Sequence, residues 1–143
     1  MPRHTLIRAE GLSEPISHYS DAVRVGDAIY VSGQASVDAN AKLVGAGDVV
    51  AQTRQVLENM KIVLAAAGAT LDDVVKVTVY LADCADRPGV NEVRKAYFKA
   101  NKPASTLIGI SEFAIEGMLV EIEAIAVAPA RQRAASLDRP SGR

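Results

Sequence analysis

Tryptophan is absent, and aromatic residues make up only 4% of the 143-residue chain. That excludes the aromatic platform on which single-stranded nucleic acid usually stacks. An excess of one charge is missing too: 16 basic against 17 acidic residues leave a net charge of −1, so no global field recruits nucleic acid. Cys84 stands alone, which rules out an intrachain disulfide and fits a reducing compartment. No apolar run approaches membrane-spanning length, and the opening residues Met1 to Arg8 lack the apolar core of a signal peptide. The expectation is a cytoplasmic protein with neither nucleic acid nor membrane as partner.

What is present reads as a globular domain. Hydrophobic residues reach 49% and charged residues 23%, and the length suits one domain with a real core. The most informative stretch is Leu119 to Val127. Alternation sends Val120, Ile122, Ala124 and Ala126 to one face, and Leu119, Glu121, Glu123, Ile125 and Val127 to the other. The first face suits a strand lying under helices. The second carries two carboxylates one pleat apart, which belong to a solvated sheet face, to an ion pair or to a functional site.

Earlier in the chain, Thr5 to Arg8 reads as a short strand and residues 11–20 as a loop ending in Ser17-His18-Tyr19-Ser20. Ala22–Val25 and Ala28–Ser32, joined by Gly26-Asp27, read as a hairpin. An exposed loop follows over residues 38–47, with a brief extended piece at 42–44. Asp48 caps a helix whose apolar stripe is Val49, Thr53, Val56, Leu57, Met60, Val63, Leu64 and Ala67, and Gly68 suits the C-terminal cap. The opposite face is assigned Gln52, Arg54, Gln55, Glu58 and Lys61. Val74–Leu81 is a strand with Val75, Val77, Val79 and Leu81 on one side. A second helix opens at Asp86-Arg87-Pro88 and runs to about Ala100, its inward stripe Val90, Val93, Ala96, Tyr97 and Ala100. Ala104–Ile110 is a strand. After Pro129 almost nothing is left to bury, so residues 129–143 are expected to be a mobile tail behind a domain of residues 1–128. Two helices can cover only one face of a six-stranded sheet. The other face, with Leu119, Ile125 and Val127, calls for a second copy of the chain.

These elements carry a set of short matches, in order: Tyr19, Tyr30-Val31-Ser32-Gly33-Gln34, Gln52 to Asn59, Ala66-Ala67-Gly68, Val75 to Leu81, Val90-Asn91, Pro103-Ala104 and Glu121 to Ala126. In them the chain resembles the Rid proteins, the reactive intermediate deaminases of YjgF type, once described as endoribonucleases (L-PSP) or translation inhibitors. The resemblance implies an α+β, chorismate-mutase-like fold, a six-stranded mixed sheet with two helices on one face, assembled as a homotrimer with clefts between subunits. It also implies hydrolysis of enamines and imines to a carbonyl product and ammonia, with no cofactor and no metal. Carried over by position, the catalytic residue is Glu121 and the substrate-binding residues are Tyr19, Ser32, Gly33 and Asn91. A carboxylate such as Glu121 can activate water and pass a proton to the leaving nitrogen; Glu123 reads as structural.

One departure bears on function. Active family members carry Pro-Ala-Arg before the penultimate strand, and the arginine grips the substrate carboxylate. Here Ser105 stands in its place, after Pro103-Ala104, as a further substrate-binding residue whose hydroxyl can hydrogen-bond a carboxylate but brings no charge. The family's nearby cysteine is Leu107, and Cys84 falls elsewhere, where it reads as inert. Candidates for the missing positive charge are His18, Arg24 and Arg94. Two further readings stand beside the deaminase: a small-molecule-binding trimer without chemistry, which Ser105 favours, and an RNA-cleaving role. The net charge and the lack of paired histidines argue against the last.

Overall fold

A computed structural model describes residues 3–130. Eight main elements follow the expected order: β1 (Thr5–Ile7), β2 (Ala22–Val25), β3 (Ala28–Gln34), α1 (Val49–Ala66), β4 (Val74–Leu81), α2 (Arg87–Phe98), β5 (Ala104–Gly109) and β6 (Val120–Val127). They build one six-stranded sheet in the order β1-β2-β3-β6-β4-β5. Only β4 and β5 run parallel; α2 supplies the crossover that a parallel pair needs. The expected tail lies outside the described residues from position 131 on.

Local chemistry explains the joints. β2 and β3 meet across a two-residue turn, with Val25 opposite Ala28. Gly26 takes φ +58° there, a left-handed conformation that glycine adopts without steric cost. The Asp48 side chain accepts the Ala51 N–H at 3.1 Å and caps α1. Gly68, at φ +87°, ends that helix. Arg24 reinforces the same end: Nε and Nη2 donate to Ala67 O at 3.2 and 3.0 Å, while Nη1 donates to Gly26 O and Ala128 O. A brief pairing of Val37 with Leu43 marks an extended piece at the end of the exposed loop.

The core lies between the helices and one face of the sheet. Val120, Ile122, Ala124 and Ala126 of β6 are buried with Val56, Leu57, Met60, Val63 and Leu64 of α1 and Val90 and Val93 of α2. The other face stays open. Tyr30 pairs in register with Ile125, and Tyr80 pairs with both Glu121 and Ile108; Tyr30 and Ile108 are exposed.

Three assignments made from periodicity are corrected. Gln52 is fully buried rather than outward. Its amide donates to Gly45 O at 3.1 Å and Gly117 O at 3.0 Å, and accepts the Leu119 N–H at 2.8 Å. Val75 is exposed, because the β4–β6 register shifts between Val74 and Lys76 and Val74 takes the inward place. On α2 the buried residue near the C-terminus is Phe98, whereas Ala96 and Ala100 are exposed. The helix stops at Phe98 and Lys99 turns to φ +55°, so the helical period does not extend to residue 100. Among the described residues no helix is long and apolar enough to cross a membrane.

Candidate functional site

Four of the residues singled out in the sequence meet in one place. Tyr19, Ser32, Gly33 and Glu121 line a cavity of about 280 Å³. β6 brings Glu121 there by alternation, one residue past the inward Val120. β3 brings Ser32 and Gly33 through an irregularity: its register with β6 shifts between Val31 and Gln34, the kind of bulge that re-aims residues beside a site. The Ser32 hydroxyl donates to Ser20 O at 2.7 Å and the Ser32 N–H to Asp21 O at 3.0 Å, which fastens the Tyr19 loop to β3. Arg8 anchors that loop from behind through a 2.7 Å ion pair with Asp21.

Gly33 is there for close approach. A Cβ at that position would sit 2.5 Å from Glu121 Oε2 and 2.9 Å from Cδ. The carboxylate therefore rests directly on the β3 backbone. Burial first, and the neighbouring Glu123 charge second, raise the Glu121 pKa above the ordinary carboxylate range. Glu123 itself accepts a 2.9 Å hydrogen bond from the Tyr80 hydroxyl, and this bond, with burial, pushes the tyrosine pKa up.

Asn91 and Arg94 lie elsewhere on the protomer, along a second hollow of about 230 Å³ that shares no lining residue with the first. Arg94 Nη2 donates to Ser105 Oγ at 3.0 Å and Nη1 approaches Asn91 Oδ1 at 3.4 Å. Two of the three candidate cations are placed differently. Arg24 is occupied by backbone carbonyls, and His18 is exposed in the loop before Tyr19.

Several residues of the cavity escaped the reading of the sequence. Leu12, Ile16, Val37, Ile115 and Met118 give it apolar walls, and Asn59 adds an amide. Asn59 is buried on α1, donating to Ala35 O and Val37 O and accepting from Gln55 Nε2. Its polar type within a helical stripe was the available signal. No group of three or more metal-ligating side chains is found among the described residues.

Comparison with known proteins gives this geometry a context. The family model described as Endoribonuclease L-PSP matches residues 11–128. The 2-iminobutanoate/2-iminopropanoate deaminase of Homo sapiens is 42% identical over 112 residues, 78% of this chain and 81% of its own. The 3-aminoacrylate deaminase RutC of Acinetobacter baylyi is 36% identical over 126 residues, 88% of this chain and 98% of its own. RidA from an Antarctic Psychrobacter superposes with a TM-score of 0.81 at 35% identity, covering 87% of this chain and 99% of that one. A match over most of the chain, in sequence and in fold alike, makes this protein a member of the endoribonuclease L-PSP family, the Rid proteins.

Proposed function

We propose that this protein hydrolyses enamine and imine intermediates to a carbonyl product and ammonia, in clefts completed between the subunits of a homotrimer. The observation that carries the reading is the half-buried Glu121 carboxylate, seated on Gly33 in a cavity with Tyr19 and Ser32. The two deaminases it resembles act, by name, on a 2-imino acid and on an enamine. The open sheet face with Tyr30 and Ile108 supports self-association, and the separation of Asn91 from Glu121 supports a cleft that one subunit does not complete alone. The fit of a single exposed cysteine to a reducing compartment supports a cytoplasmic site.

In this reading Glu121 takes a proton from water as the oxygen attacks the imine carbon, forming a carbinolamine. It returns that proton to the nitrogen. The C–N bond then breaks, ammonia leaves, and the hydroxyl proton passes to the carboxylate, so that the protonated imine C=NH2+ and H2O become C=O and NH3 with the remaining proton left on Glu121. An enamine first needs a proton on its β-carbon, which the raised Glu121 pKa helps to supply. Ser105 in place of the family arginine removes the charge-assisted contact from strand β5, which alters specificity unless a cation from another element takes its place. The same replacement supports the second reading, a binding trimer without chemistry.

The experiment is ammonia and keto-acid release from imines generated in situ by an amino-acid oxidase. Wild type is expected to accelerate release, and Glu121→Gln to abolish the effect at an unchanged trimeric mass by light scattering. Turnover that survives in Glu121→Gln refutes the assignment, and a monomeric wild type refutes the cleft.

A further inference from the structure

Arg94 presents an uncompensated charge. From α2 its guanidinium reaches β5 and meets only neutral acceptors, Ser105 Oγ at 3.0 Å and Asn91 Oδ1 at 3.4 Å. Among the described residues the ion pairs are Arg8 with Glu14 and Asp21, and Lys61 with Glu58; none involves Arg94. The group is half-buried, and the loss of water lowers its pKa. A guanidinium carries five donors in a planar fork. Two are engaged here, and a desolvated cation with spare donors is costly until an anion meets it. Arg24 offers the contrast, its fork spent on three backbone carbonyls.

The neighbours explain how Arg94 is held. Asn91 lies one helical turn before it, and Ser105 faces it from the edge strand. With Nη2 only 3.0 Å from Ser105 Oγ, the guanidinium fills the space that any longer side chain at position 105 would enter. The short side chain at 105 thus leaves room for this placement of Arg94. The adjoining hollow, bordered by Asn91, Phe98 and Pro103, has room for a small polar group.

We infer that Arg94, steered by Ser105 and Asn91, grips the carboxylate of the substrate, so that the cation of this cleft is delivered from helix α2 rather than from strand β5. The inference rests on the proposed deaminase reading and names its substrate class: 2-imino acids that keep their carboxylate.

The test measures binding apart from turnover. Calorimetric titration of the full chain with 2-oxobutanoate, a product-like carboxylate, runs beside titration with its neutral amide. Arg94→Met is expected to weaken 2-oxobutanoate roughly 30-fold or more, as loss of a charge-assisted contact implies, and to leave the amide unchanged. Arg94→Gln should behave alike. Arg94→Met combined with Ser105→Arg should recover most of the affinity, because a guanidinium from the strand can enter the vacated space; unchanged amide binding shows that the single variant folds. In the imine assay the loss should fall on KM more than on kcat. Equal binding of 2-oxobutanoate by wild type and Arg94→Met overturns the inference, as does a wild type that binds the amide as tightly as the acid. A wild type that loses 2-oxobutanoate on Arg94→Met yet never turns over imines upholds the carboxylate grip and refutes the hydrolase instead.

Discussion

Adding one methyl group at Gly33 is expected to silence the site while leaving the fold standing. Gly33 does not adopt a positive φ, so alanine meets no backbone objection; the three nearest atoms to its Cβ all belong to Glu121. Its Oε2, Cδ and Cγ would lie 2.5, 2.9 and 3.2 Å from the new Cβ. Favourable non-bonded contact between heavy atoms begins near ~3.5 Å, so the carboxylate must retreat by about 1 Å. That retreat is cheap for stability, because the moving atoms are the far end of a flexible side chain: we expect less than about 1 kcal/mol of unfolding free energy. It is expensive for chemistry, where a misplacement of about 1 Å costs on the order of 100-fold. The assay is kcat/KM for imine hydrolysis beside thermal unfolding at fixed protein concentration. A Gly33→Ala variant within threefold of wild-type activity refutes the claim that the seat of Glu121 on the β3 backbone sets its reactivity.

Two more predictions concern the support of that carboxylate. Gln52→Ala leaves Gly45 O, Gly117 O and the Leu119 N–H without their partner in a fully buried place, at about 1–3 kcal/mol each; urea unfolding should show a loss of at least about 3 kcal/mol, and a loss under 1 kcal/mol contradicts the accounting. For Glu121→Gln the expectation is greater stability than wild type at neutral pH but not in acid. A carboxylate whose pKa is raised by folding binds more protons in the native state than in the unfolded one, so wild-type stability falls as pH rises from the unfolded value of about 4.3 through the raised folded one. Melting curves of both proteins across pH 3.5–8 should therefore diverge upward in that window; parallel curves contradict the raised pKa.

Legibility in the sequence followed the physics of each signal. The inward face of β6 was readable because strict alternation of Val120, Ile122, Ala124 and Ala126 has one geometric meaning, and Glu121 stood out as a charge in so apolar a strand. Tyr19, Ser32 and Gly33 came only through family resemblance, since a bulge between Val31 and Gln34 leaves no mark on residue type. Gln52 was misassigned because hydrophobic periodicity scores polarity, whereas its burial depends on three backbone partners distant in the chain. Val75 failed for the same reason as the bulge in β3: one shifted residue reverses the face. Arg94 was one cation among three in the sequence. What distinguishes it is a tertiary fact: its half-buried guanidinium meets two neutral side-chain oxygens, whereas the Arg24 fork is spent on backbone carbonyls.

The hollows that hold Glu121 and Arg94 also differ in sign, and that difference constrains what can bind across them. Glu121 and Glu123 share the open face of β6, and their mutual repulsion already raises the pKa of the first. A third carboxylate brought to about 6 Å from one of them, at an effective dielectric near 20, adds roughly 3 kcal/mol of repulsion. A 2-imino acid can enter such a site only in one orientation, with its protonated nitrogen toward Glu121 and its carboxylate toward a cation. In the proposed reaction the iminium then lowers the cost of keeping Glu121 ionised as it accepts a proton from water. The hollow with Arg94 supplies the opposite charge. An anionic half and a cationic half that share no lining residue on one protomer are complementary to a small zwitterion, and only an assembly that brings the two halves together, from the same subunit or from neighbours, can hold both of its ends.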